Sequence, residues 1–331
     1  MDKESLLQHF MANRPARKFK TNEQYALRLS KLARDNDKTD NTFLQQPEDV
    51  FKMLDNKPVT TKANILTAII DYLLIEKADP AIIKIYKERK QTNQDKYYQE
   101  NEKGVLIGKQ KDNFVPYEKL LEYYHKIEDE IKKHGYETND KYPAREYLNL
   151  RILLRLYLLY PSRNEYSNLE MISLREFKKK KYLMKNYLVV PGRSQPFLSI
   201  NEYKTAQRYK EKRTEITDTR LKQLILFHKK KFGEGNMFQT HGGKQYDNTD
   251  LSKLLSKYTK IYLGKSISTT LMYKIIIQKV GQDFHKAIEE DRDEDAEKYR
   301  AQLAEHARIR GHAAFTQKQI YIKESDPPSD Q

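Results

Sequence analysis

Apolar residues recur three and four positions apart through most of this chain, and at strand spacing in one stretch only. Leu6, Leu7, Phe10 and Met11 mark a first helix. Thr21, with Gln24 three residues on, has the capping-box pattern, and Tyr25, Leu29 and Leu32 line one face of the helix behind it. Pro47 opens a short helix running to Leu54. Ile65, Leu66, Ile69, Ile70 and Leu73 set a helix over 60–77, and a basic, tyrosine-rich helix follows over 80–98. Residues 99–114 are polar, contain Gly104 and Gly108, and read as a loop or joint. A helix over 117–133 carries Leu120, Leu121, Tyr124, Ile127 and Ile131 opposite a charged face. Gly135, Asn139, Asp140 and Pro143 then cluster, which predicts a domain boundary.

Over 145–160 the pattern changes to apolar nearly all round, with Leu148, Leu150, Ile152, Leu153, Leu154 and Leu156. A helix of that kind is buried on every side, so it is expected to be the spine of the second domain. It stops at Pro161-Ser162-Arg163-Asn164. Three runs, 186–190, 197–200 and 213–217, read as strands of a small antiparallel sheet. Helices resume over 218–231, 250–262 and 267–280, and the acidic run 289–295 in the charged segment 283–305 reads as a solvated face. The expected fold is mainly α with a small antiparallel β-sheet: an α-helical domain over 1–137 and an α+β domain over 138–331.

Charge sharpens this picture. The 331 residues hold 62 Lys and Arg against 47 Asp and Glu, a net charge of +15. Such an excess points to a polyanionic partner, bound through counterion release from phosphates. A membrane surface is the competing polyanion, but no apolar run is long enough to span one, and the first residues lack an apolar signal core. Cysteine is absent, which removes disulfides, thiolate nucleophiles and Cys-based zinc sites. An intracellular, reducing place of action is the expectation.

The candidate chemistry gathers near the end of the chain. Gly311 suits the left-handed C-terminus of a helix, and His312 is followed nine residues later by Tyr321. A phenol brought beside an imidazole among cationic donors is a nucleophile suited to a phosphodiester. Arg163, just past the buried helix and a proline, offers a guanidinium for bidentate phosphate contact, or serves as a cap. Lys204, in the turn between the second and third predicted strands, is placed to act as general acid or to remain a solvated surface lysine. Lys178, Lys179, Lys180 and Lys181 form a track for phosphates, an import signal or a solvated loop. Gly233-Glu234-Gly235 and Gly242-Gly243 do not make a phosphate loop, and the histidines lack the spacing of metal ligands, so no metal and no cofactor is expected.

Arg163, Lys204, Gly311-His312 and Tyr321 stand in an order and spacing that resembles the tyrosine recombinase (phage integrase) family. The resemblance is closest to divergent members from large eukaryotic DNA viruses, virophages and related mobile elements. It rests on Pro161-Ser162-Arg163-Asn164, on Asn201-Glu202-Tyr203-Lys204-Thr205, and on Gly311-His312 leading through Thr316-Gln317 to Tyr321. It covers about 145–323, while the N-terminal helices look like the core-binding domain that clamps the other side of the DNA. The resemblance implies DNA recombination or integration without cofactor on double-stranded DNA, by a homo-tetramer built on paired sites. Tyr321 would form a 3′-phosphotyrosyl intermediate, Arg163 and His312 would stabilise the charge on phosphorus, and Lys204 would protonate the departing 5′ oxygen.

One motif departs from the pattern. Where the family has His-x-x-Arg, this chain has Thr270-Leu271-Met272-Tyr273, followed by Lys274. A tyrosine donates one neutral hydrogen bond and cannot replace a bidentate cation; losing such a donor commonly costs about 10²–10³ in rate. Lys274, Arg308 or Arg310 substitutes, or activity is reduced, or the protein only binds DNA. Arg308 and Arg310 read first as a basic helix C-terminus complementing its dipole. A non-catalytic DNA-binding protein and a type IB topoisomerase-like relaxing enzyme are the rival functions.

Overall fold

The structure, a computed structural model, describes residues 2–102, 109–180, 185–203 and 206–311. The chain divides into two units, 1–105 and 106–331. The first is helical: α1 (Lys3–Asn13), α2 (Phe19–Arg34), a 3₁₀ turn (Thr42–Gln45), α3 (Pro47–Leu54), α4 (Val59–Ile75) and α5 (Pro80–Glu102). Its core joins Phe10, Leu29, Leu32, Leu44, Val50, Leu66, Ile69 and Tyr86. The expected i, i+4 residues of α4 are all buried. Thr21 is not the cap of α2; the helix starts at Phe19, and the Thr21 amide already donates to the Lys18 carbonyl from within the first turn. Part of the basic stretch before α2 is neutralised locally, since Arg17 Nη1 lies 2.6 Å from Asp71 on α4.

The second unit contains α6 (Lys109–Asn113), α7 (Tyr117–Lys133), α8 (Ala144–Leu159), a 3₁₀ turn (Glu165–Asn168), β1 (Leu169–Ser173) and α9 (Leu174–Lys178). Then come β2 (Asn186–Val190), β3 (Phe197–Ile200), α10 (Ala206–Tyr209), β4 (Lys212–Glu215), α11 (Thr219–Phe232) and β5 (Gly235–Asn236). Three helices complete it: α12 (Asn248–Leu263), α13 (Thr269–Glu289) and α14 (Asp293–Arg310). As its composition demands, α8 is buried along nearly its whole length. Two of its arginines are matched: Arg151 pairs with Glu137 at 2.5 Å and Arg155 with Asp218 at 2.6 Å.

Two expectations are corrected. The unit boundary falls at 105/106 rather than 137/138, because α7 buries Leu120, Tyr123, Tyr124, Ile127 and Ile131 in the same core as α8, α12 and α13. The cluster at 135–143 is a reversal between two packed helices, with Gly135 at φ +63° ending α7. Turn chemistry marks a change of direction, which is not by itself a domain edge.

The sheet is mixed rather than antiparallel. Its five strands run in the order β4-β3-β2-β1-β5, with β1 parallel to β2 and the other neighbours antiparallel. The run 169–173 was not foreseen as a strand, nor was the two-residue β5. A crossover through α9 returns the chain in the same direction, so β1 and β2 pair in parallel without a hairpin signal between them.

Candidate active site

The end of α8 is held rigidly. The Tyr157 hydroxyl donates to the Arg163 carbonyl at 2.5 Å, and the Tyr166 hydroxyl donates to the Tyr160 carbonyl. Burial pushes both phenols well above the usual tyrosine range, so they remain protonated donors. These bonds fix the path of Pro161-Ser162-Arg163. Arg163 is half-buried, and its Nη1 is buried with no hydrogen-bond partner among the described residues.

The C-terminus of α14 meets this turn from the other side. Gly311 takes the left-handed conformation, φ +69° and ψ 40°, as its position past a basic helix predicts. Arg310, the last helical residue, is 2 % exposed. Its Nη1 donates to the Ser162 carbonyl at 2.7 Å and its Nη2 to Thr270 Oγ1 at 3.2 Å, while the guanidinium lies 4.4 Å from the Tyr273 ring centroid. Thr270 and Tyr273 are three apart on α13 and therefore share a face. Thr270, Tyr273 and Arg310 are thus brought together with the Ser162 carbonyl, one residue before Arg163.

Lys212, the first residue of β4, closes the cluster. Its Nζ donates to the Ile309 carbonyl in the last turn of α14 at 2.7 Å and sits 3.7 Å from the Tyr203 ring centroid. A cation there complements the negative end of the helix dipole. Burial above all, with Arg163, Arg308 and Arg310 adding to it, pulls the ammonium pKa down to about 8; Glu165 acts in the opposite sense. Glu165 is itself buried and accepts from Ser162 Oγ at 2.6 Å.

Asn186, fully buried at the start of β2, ties the turn after β3 to the Arg163 segment. Its amide nitrogen donates to the Glu165 and Glu202 carbonyls and to Asn168 Oδ1; its Oδ1 accepts from the Asn201 and Glu202 amides. The described part of the Asn201–Thr205 turn is therefore anchored beside the residues around Arg163. Lys204 itself, like Lys181, His312 and Tyr321, lies outside the described residues.

The remaining candidates point elsewhere. Lys274 is buried and donates to Gln110 Oε1 on α6 at 2.7 Å, with its pKa lowered by burial. Arg308 pairs with Glu305 and donates to Thr214 Oγ1 at 2.7 Å. Lys178, Lys179 and Lys180 are exposed at the end of α9; Lys179 pairs with Glu176 at 2.7 Å. For Arg310 the dipole account is corrected, since its guanidinium is buried against Ser162, Thr270 and Tyr273 while Lys212 takes a last-turn carbonyl.

Sequence reasoning missed Lys212, Glu165 and Asn186. Lys212 sits in Lys-Arg-Thr-Glu, a charged run without periodicity among 62 basic residues, so nothing distinguishes it. Asn186 had one signal: a polar residue directly before the apolar run 187–190.

Comparison with protein-family models, curated proteins and solved structures gives no match. Among the described residues no helix is long and apolar enough to cross a membrane, and no three His, Cys, Asp or Glu are grouped to hold a metal ion. The cluster gathers guanidinium and ammonium groups, the kinds of donor that bind oxyanions.

Proposed function

We propose that this chain is a DNA strand-breaking and rejoining enzyme of the tyrosine recombinase kind, acting on duplex DNA. One observation supports the proposal: positions selected from the sequence far apart in the chain meet at Arg310, which contacts Thr270, Tyr273 and the carbonyl of Ser162, the residue before Arg163, just ahead of Gly311-His312. In the proposed reaction the Tyr321 phenol gives its proton to water as its oxygen attacks phosphorus and a tyrosyl O–P bond forms. The bond from phosphorus to the 5′ oxygen breaks, and Lys204 supplies that oxygen with a proton. Rejoining reverses these steps with a 5′ hydroxyl from another strand, so the bond energy is conserved and no nucleotide cofactor is consumed. The unit 106–331 would carry this chemistry, the helical unit 1–105 would bind the far side of the duplex, and copies would associate on paired sites.

Incubation with a nicked suicide duplex tests this. A denaturant-resistant protein–DNA adduct is expected from the wild type and none from Tyr321→Phe. One observation favours a second reading: Tyr273 stands where a guanidinium is expected on α13. A protein that binds the duplex tightly and forms no adduct on a verified target is a DNA-binding protein with this fold.

A further inference from the structure

We infer that Arg163, Lys212 and Arg310 form one pocket for a single phosphate group of the DNA, in which Arg310 on α14 supplies the guanidinium that Tyr273 cannot supply from α13. This rests on the proposed function for the identity of the ligand as DNA, and on the geometry for everything else.

Three facts lead to it. Arg163 has a buried Nη1 with no hydrogen-bond partner among the described residues, and a buried guanidinium nitrogen left unpaired is costly. Lys212 is 5 % exposed, with Arg163, Arg310 and the Glu305-paired Arg308 acting on it against Glu165, whose Oε2 already accepts from Ser162. Cations gathered in low dielectric repel one another unless an anion joins them, so the arrangement favours an anionic guest. Finally, the Arg310 guanidinium lies over the Tyr273 ring, 4.4 Å from its centroid, while the Ser162 carbonyl accepts from its Nη1 and the Thr270 hydroxyl from its Nη2. A stacked, clamped guanidinium is pre-organised for bidentate contact with a phosphate. Tyr273 is then a platform for the cation in place of being its source.

The pocket is tested with Arg310→Met and Lys212→Met, with Lys286→Met on an exposed face of α13 as control. Affinity for a random-sequence duplex is measured over a range of salt concentrations, and unfolding temperatures are recorded alongside. Each pocket variant is expected to lose about tenfold or more in affinity and to lower the slope of log K against log salt by about 0.9, the value for one phosphate contact. The control is expected to leave the slope unchanged. Tyr273→Arg combined with Arg310→Met returns the cation to α13 and is expected to restore the slope. Because Arg310 also braces the Ser162 turn, Arg310→Lys provides a second variant: charge retained, slope retained, affinity reduced by loss of the planar fork.

Folded Arg310→Met and Lys212→Met proteins with the wild-type slope overturn the pocket. If Arg310→Met does not fold, a wild-type slope in Lys212→Met together with unreduced affinity in Arg310→Lys overturns it equally. The two proposals fail separately. A lowered slope without any wild-type adduct keeps the pocket and removes the covalent chemistry; a wild-type adduct formed at full rate by both methionine variants keeps the chemistry and removes the pocket.

Discussion

His228 shows how strongly burial acts on single residues here. It is 3 % exposed on α11, and neither ring nitrogen has a hydrogen-bond partner among the described residues. Burial, reinforced by Arg145 and Arg151, pulls its pKa down to about 3. In the unfolded chain the same imidazole takes a proton near pH 6.5. Between that pH and about 3 the unfolded state therefore binds one proton more, and stability falls as the pH falls. His228→Leu removes this loss. Denaturant unfolding at pH 7 and pH 4 is expected to show the variant losing about 1–4 kcal/mol less than the wild type on acidification. An equal loss in both proteins would mean that the ring is hydrated or partnered in solution. No pattern in the sequence marks His228 for this behaviour. A histidine four before Phe232 reads as an ordinary helical residue, and only the arginines of α8 and the closure of the core make it a buried base.

At the scale of elements, the cluster depends on two joints. The first is Gly311, whose φ of +69° ends α14 and leaves Arg310 as the last helical residue. Gly311→Ala places a Cβ in the left-handed region and is expected to cost about 1–2 kcal/mol, read as a lower midpoint in denaturant. The second is Asn186, whose side chain serves five partners on the turns before β1 and after β3. Asn186→Ala strands several buried polar groups and is expected to cost about 2–4 kcal/mol. That corresponds to a fall of about 5–10 °C in Tm for a unit of this size. Adduct formation is expected to fall as well, since the turn leading to Lys204 loses its anchor; Asn186→Ala with wild-type Tm would show that the network is replaced by water. The helix joint was legible beforehand, because a glycine after a basic helix end has a local cause. The asparagine joint was not, because its partners come from segments up to 21 residues away and are chosen by the sheet register.

At the scale of the molecule, the position of α7 decides what folds alone. The two units have separate apolar cores, one around α4 and one around α8. A fragment spanning 106–331 is expected to unfold cooperatively by itself. A fragment spanning 138–331 lacks α7 and with it five buried side chains: Leu120, Tyr123, Tyr124, Ile127 and Ile131. At about 1.5–3 kcal/mol for each large apolar side chain, that loss equals or exceeds the net stability of an ordinary domain. Circular dichroism melts of the two fragments check this; a cooperative transition in 138–331 would restore the boundary at 137/138. The net charge of +15 acts at the same scale. It attracts any polyanion at a distance and says nothing of where one would bind.

Short-range physics was readable in the chain itself. The amphipathic periods of α4 and α7, the all-round burial of α8, the proline start of α3 and the glycine end of α14 each follow from neighbours within one or two turns. Strand β1, the true unit boundary and the burial of Lys212 required the folded molecule, because each depends on partners brought from elsewhere in the chain. A lysine among 62 basic residues acquires its lowered pKa only when α14 and the Arg163 turn close over it. Likewise, position 273 reads as a lost cation in one dimension. In three dimensions a guanidinium from another helix lies against its ring, since side-chain reach is measured through space and residue spacing along the chain does not record it.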